Sequence, residues 1–236
     1  MIELTAPAKL TVSLRITGVR ADGMHLIDAE MVSLDLCDRL VVEEGGSGVK
    51  VDGHDVGPES DNLVRRALDL ADVQAGVTVY KAIPPGAGLG GGSADAAAVL
   101  AWAGWTDPTS AAAIGADVAF CLSGGRARVS GIGEQIQPLA FEDRTFTLLT
   151  PPFGCSTPAV YRQWDDMGGP VGDHGNDLEP AALVVAPELA RFRDELAEVS
   201  GHRPRLAGSG STWFVEGAFA GADRVVVRTV RARPPG

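Results

Sequence analysis

The chain has 236 residues, 45% of them hydrophobic and 22% charged, with 20 Lys+Arg against 31 Asp+Glu for a formal net charge of −11. That length suits one large or two small domains with a real core, and the hydrophobic share excludes a disordered chain. An acidic balance without a basic run excludes nucleic acid or an anionic membrane as the main partner, so an anionic ligand must be held by local devices.

The opening Met1-Ile2-Glu3-Leu4 carries no basic leader. No stretch approaches the ~18–20 apolar residues of a membrane span, so a cytoplasmic protein is expected. Residues 9–17 alternate with period two, placing Leu10, Val12, Leu14 and Ile16 on one face of a half-buried strand and Lys9, Thr11, Ser13 and Arg15 on the other. A turn at Asp22-Gly23 follows, then strands over residues 32–36 and 39–42, and a turn over 44–48. Ser60-Asp61-Asn62 reads as the cap of a helix carrying Leu63, Ala67, Leu70 and Ala71. Residues 77–83 form a strand stopped by Pro84-Pro85, and five glycines crowd residues 86–92 before a high-propensity helix opening at Ala94.

A short helical piece over 110–114 ends at Gly115-Ala116-Asp117, leaving Asp117 at a break between helical pieces. Strands with a Gly131/Gly133 turn follow over 126–150, and Pro151-Pro152 marks a boundary between domains of residues 1–150 and 151–236. Leu189, Phe192, Leu196 and Val199 define one face of a helix closed by Gly201. A second glycine loop over 206–211 precedes strands over 212–215 and 224–230, and residues 231–236 read as a frayed tail. Strands and helices mix without a regular βαβ rhythm, which makes the fold class α+β. Cys37, Cys121 and Cys155 lack CxxC spacing, which points to a reducing compartment, and His25, His54, His174 and His202 lack metal spacing. No metal site built from protein side chains is expected.

The first glycine cluster carries the chemistry. Glycines between a strand and a helix let the backbone approach an anion, while the free N–H groups and dipole of the helix start favour negative charge. No lysine in the chain follows a glycine, so the cluster is not a Walker A loop. Gly86-x-Gly88-x-x-Gly91 matches a dinucleotide fingerprint in letters, but two prolines replace the tight strand-to-helix turn. The acidic residue such a fold needs is matched only by Asp107, in a turn, so an oxidoreductase is disfavoured.

Pro7-Ala8-Lys9-Leu10, the turn from Arg20 to His25, the segment from Ile83 to Asp95, Gly115-Ala116-Asp117-Val118 and the loop over 206–211 occur in the order of the GHMP kinase superfamily. Over nearly its whole length the chain resembles that superfamily, and within it the diphosphocytidyl-methylerythritol kinase family. The resemblance implies a two-domain fold, with an N-terminal domain like domain 2 of ribosomal protein S5 and a shortened ferredoxin-like C-terminal domain. It implies transfer of a phosphoryl group from ATP, with Mg²⁺, to a hydroxyl of a CDP-linked polyol in non-mevalonate isoprenoid synthesis. Acidity and apolar fraction fit a monomer and a homodimer equally. By the same resemblance, Asp117 would accept the hydroxyl proton and Lys9 would stabilise the developing charge. Pro84, Pro85, Gly86, Ala87, Gly88, Leu89, Gly90, Gly91, Gly92, Ser93 and Ala94 would hold the nucleotide, with Ser93 the one nominated hydroxyl for Mg²⁺, and Asn62 would help line the adenine pocket. Thr11, Met24, His25, Thr157 and Tyr161 would face the acceptor.

The chain also departs from the family. Thr11 stands where Asn is usual, Met24 where Tyr is usual, residues 102–114 are shorter than the norm, and little helix follows Glu216. A substrate-diverged or non-catalytic nucleotide-binding paralogue and another small-alcohol kinase of the superfamily are the alternatives that these departures raise.

Overall fold

A computed structural model of the protein describes residues 1–52 and 61–232. Ser60 of the expected cap, His54 and the last four residues of the expected tail lie outside the described residues.

The chain is α+β, as its mixed pattern implies. Strands β1 (Ile2–Val19) and β2 (His25–Glu44) form one long antiparallel hairpin whose register shifts at Pro7/Lys9, Thr11/Ser13 and Ile16/Gly18. The two short strands expected over 32–42 are thus one strand of 20 residues. Its far edge pairs with two partners: residues 39–44 pair with β4 (Ala75–Tyr80) and residues 27–32 with β5 (Arg126–Gly131). Strand β3 (Val49–Asp52) adds parallel to β4, and β6 (Gln135–Pro138) adds antiparallel to β5.

Among the described residues, four helices complete this half: α1 (Leu63–Leu70), α2 (Gly91–Trp102), α3 (Pro108–Ala111) and α4 (Ala116–Ser123). Helix α2 is buried almost all round, from Ala94 to Leu100, and its alanines let it lie close between the sheet and its neighbours. Ala6, Leu40, Val77 and Val79 of the sheet meet Val64 and Leu68 of α1 and Val118 of α4 across it. Asp117 therefore does not lie at a chain break. It sits in the first turn of α4, a helix that the sequence reading stopped short of because Gly115 ends the preceding piece.

The second half contains β7 (Thr145–Leu149), α5 (Thr157–Asp166), α6 (Glu179–Val185), α7 (Leu189–Ser200), β8 (Arg205–Leu206), β9 (Trp213–Glu216) and β10 (Val225–Arg228). Its sheet runs β10-β7-β9-β8, all antiparallel. The chain changes sheets between Pro138 and Thr145, so β7 pairs in the second sheet although it precedes Pro151-Pro152. Helix α7 buries Leu189, Phe192 and Leu196 and ends at Gly201 in the left-handed region. Val199, expected on that face, is exposed, and Ser200 is buried instead, donating to the Leu196 carbonyl at 2.6 Å. A third cluster joins the halves, with Ala8, Leu10 and Leu34 from the hairpin against Phe146, Leu148, Phe214 and Val227 from the second sheet.

Candidate active site

Part of the polar side of β1 does not face solvent. Lys9 and Thr11 are both buried, because the first glycine loop lies across them: the Lys9 N–H donates to the Leu89 carbonyl at 3.0 Å. A Cβ on Gly90 would stand 2.7 Å from the Lys9 Cγ, at a residue with φ +68°, so only glycine lets the loop close over the lysine stem. That closure leaves one direction for the ammonium. Lys9 Nζ lies 3.1 Å from Asp117 Oδ2 and donates to Thr11 Oγ1 at 3.0 Å. Thr11, where an amide would be usual, thus orients the lysine. The Asp117 side chain keeps about a third of its exposure and faces a cavity.

The glycine loop leads into α2, whose cap Gly90 supplies no side chain. Among the described residues, no acceptor meets the N–H groups of Gly91, Gly92 or Ser93, which leaves the positive end of a 12-residue helix free for an anion. The helix starts at Gly91 rather than Ala94, so two of the glycines are helical residues. The loop rests on the end of the second glycine loop and on the segment before α5 (Thr157–Asp166): Thr212 N–H donates to the Ala87 carbonyl at 3.1 Å and Cys155 N–H to the Gly86 carbonyl at 3.3 Å.

These groups line one cavity of about 910 Å³, within the usual range for small-molecule sites. It collects Lys9, Thr11, Met24, His25, Asn62, Pro84, Pro85, Gly86, Ala87, Gly88, Gly90, Gly91, Gly92, Ser93, Asp117, Thr157 and Tyr161 from the residues that the sequence nominated. Leu89 and Ala94 turn away into the core. Asn62 combines two readings: its Oδ1 caps α1 by accepting from Val64 N–H at 2.8 Å, and the residue also lines the cavity. At the other end, the His25 ring packs on Tyr161 with centroids 4.7 Å apart and meets Trp164 edge-on at 5.6 Å. Burial pushes the Tyr161 hydroxyl up to about 12, so it stays protonated at neutral pH. Met24 is half-exposed at the rim. Thr157 Oγ1 is 2.8 Å from Ser209 Oγ, tying α5 to the second glycine loop.

Several residues of the site escaped the sequence reading. Asn176 is buried and donates through Nδ2 to the carbonyls of Leu206 at 2.9 Å and Gly208 at 2.7 Å, fixing the loop whose Gly208 and Ser209 line the cavity. Lys81 is buried between Asp38 and Asp95, 2.8 Å from Asp95 Oδ2, and beside Gly91. Asp38 also accepts the N–H groups of Ala82 at 2.6 Å and Ile83 at 2.8 Å, so this cluster anchors the entry to the glycine loop. Lys81 is one of only three lysines, and that scarcity was the one signal that could have drawn attention to it.

Burial, opposed by Lys81, pushes the Asp95 carboxyl up to about 7. The native chain therefore holds a proton that the unfolded chain releases near pH 4. The stability this group contributes is full below that pH and is lost as pH rises through about 7. Urea unfolding between pH 5 and 8 is expected to show stability declining with pH, and a flatter profile in Asp95→Asn. Parallel profiles for the two proteins would contradict the assignment.

The chain is similar to known proteins over most of its length. Residues 62–125, from the cap of α1 to just beyond α4, match the GHMP kinases N terminal domain. The chain is 37% identical to a 4-diphosphocytidyl-2-C-methyl-D-erythritol kinase from Paracoccus denitrificans, over 98% of this chain and 91% of that one. It is 36% identical to one from Pelotomaculum thermopropionicum, over 91% and 88%. A crystal structure of 4-(cytidine 5'-diphospho)-2C-methyl-D-erythritol kinase superposes with a TM-score of 0.73 at 33% identity, covering 90% of this chain and 89% of that one. Homoserine kinase from Cytophaga hutchinsonii, at 16% identity and a TM-score of 0.62 over 99% and 96%, shares the fold.

Proposed function

The chain belongs to the 4-diphosphocytidyl-2-C-methyl-D-erythritol kinases of the GHMP kinase superfamily, and on that premise we propose that it transfers the γ-phosphoryl group of ATP to a hydroxyl of 4-diphosphocytidyl-2-C-methyl-D-erythritol, a step towards isoprenoid precursors. The observation that carries the residue assignments is the Lys9–Asp117 pair, set in the same cavity as the free N–H groups of α2 and the ring cluster of His25 and Tyr161.

Phosphoryl transfer asks a protein chiefly for positioning and charge stabilisation. The α2 start and the glycine loop hold the phosphates. The Asp117 carboxylate accepts the proton of the acceptor hydroxyl as its oxygen bonds to the γ-phosphorus. The bond from that phosphorus to the β–γ bridging oxygen breaks, and ADP leaves. Lys9, locked by Thr11 and by the loop across its stem, stabilises the charge on the attacking and transferring oxygens. His25 and Tyr161 hold the cytidine base, on which aromatic stacking contributes ~1–3 kcal/mol.

The residues fit magnesium in a limited way. Ser93 lines the cavity and, among the described residues, its hydroxyl has no hydrogen-bond partner, so it would reach an ion otherwise held by phosphate oxygens and water. The ion, when bound, neutralises phosphate charge. Cys121 and Cys155 are free thiols, and we place the enzyme in a reducing cytoplasm, where such thiols persist.

ADP release that depends on the cytidine diphosphate acceptor is the expected activity. Lys9→Met keeps the stem that packs beneath Gly90 and removes only the charge, so kcat is expected to fall by ~10²-fold or more with the melting temperature held. Normal turnover in that variant would remove Lys9 from the mechanism.

A further inference from the structure

Asp165 has no part in the site as derived so far. Tyr161, Trp164 and Asp165 stand at i, i+3 and i+4 on α5, one face of the helix, and all three touch His25. The two rings fix the imidazole plane, and the Trp164 indole is itself anchored through its N–H to the Pro170 carbonyl at 2.9 Å. Asp165 Oδ1 lies 2.8 Å from His25 Nε2. A carboxylate only accepts, so the shared hydrogen sits on Nε2. In the neutral ring Nδ1 then carries a lone pair, and among the described residues Nδ1 has no hydrogen-bond partner. His25 and Asp165 both line the cavity.

We propose that Asp165 is a specificity-determining residue that fixes His25 as a hydrogen-bond acceptor and so selects cytosine over uracil at this end of the cavity. Cytosine presents an exocyclic amino group, a donor, where uracil presents a carbonyl, an acceptor. A lone pair on Nδ1 bonds to the first and repels the second. Without Asp165 the neutral imidazole is free to move its proton to Nδ1, and the ring then accommodates either base. The inference rests on the reading that this end takes the cytidine base.

The test measures CDP and UDP affinity by calorimetry at about pH 8, above the ordinary range of imidazole protonation, for the wild type, Asp165→Ala and Asp165→Asn. The wild type is expected to prefer CDP by about tenfold or more, the scale of one discriminating hydrogen bond. Asp165→Ala is expected to bring the two ligands within about threefold by weakening CDP while sparing UDP, with ATP affinity and melting temperature unchanged. Asp165→Asn, which can still accept from Nε2–H, should fall between. Spared UDP binding is the readout that mere loosening of α5 would not give. Equal weakening of both ligands, or an unchanged ratio, overturns the proposal. A wild type that phosphorylates the cytidine acceptor but binds CDP and UDP alike overturns it and leaves the kinase reading intact. A wild type that binds neither ligand and shows no acceptor-dependent ADP release overturns both.

Discussion

Asp117→Asn is expected to lower kcat by ~10²–10³-fold while the KM for ATP stays within about twofold. The amide occupies the same volume and keeps an oxygen that Lys9 can reach across the present 3.1 Å, so the local packing survives. What it loses is the ability to take a proton. An attacking hydroxyl that must shed its proton to water loses both the base and the positioning of that base. In the proposed arrangement ATP is held elsewhere, on the N–H groups at the start of α2, and its binding has no reason to change. Steady-state kinetics with saturating acceptor distinguish the cases. A KM rise with normal kcat would mean that Asp117 binds substrate and does not act on its proton.

The second large effect is structural. Gly88→Ala is expected to destabilise the protein by about 2–4 kcal/mol and to weaken ATP binding at least tenfold. Gly88 has φ +78°, and a Cβ there would press on the Ala207 carbonyl oxygen and stand 2.8 Å from that of Gly210. Both obstacles are backbone of the second glycine loop, which Asn176 holds in place, so neither can swing aside like a flexible side chain. Gly104 provides the control: its φ is +79° but nothing lies within 4 Å of its would-be Cβ. Gly104→Ala should therefore cost only the conformational term of about 1 kcal/mol. Equal losses in the two variants, measured by urea unfolding, would show that the contact between the loops contributes nothing.

The sequence made some of this legible and hid the rest for physical reasons. Period-two alternation identified β1 because one side is aliphatic, but alternation cannot tell a solvent-facing polar side from one covered by a loop, and Lys9 and Thr11 are covered. Low helix propensity put the start of α2 at Ala94, three residues late, because glycine is disfavoured inside helices and tolerated in a first turn that a ligand or close packing requires. Lys81, Asp38 and Asp95 lie 14 and 43 positions apart, and only strand register and the α2 approach bring them together. Asp165 was within reach of the sequence: once Tyr161 is placed on a helix, positions i+3 and i+4 share its face. The resemblance to a kinase family located the residues at both ends of the cavity, while the role of Thr11 as the partner of Lys9 required the coordinates.

The account's central claim is that the hydroxyl held near Lys9 and Asp117 receives the γ-phosphoryl group. Phosphorus NMR of the purified protein with ATP, Mg²⁺ and 4-diphosphocytidyl-2-C-methyl-D-erythritol tests it most directly. The expected result is a new phosphomonoester resonance that grows one-for-one with ADP and is abolished in Asp117→Asn. ADP accompanied by inorganic phosphate alone, or no ADP formation beyond that seen without the acceptor, would contradict the claim.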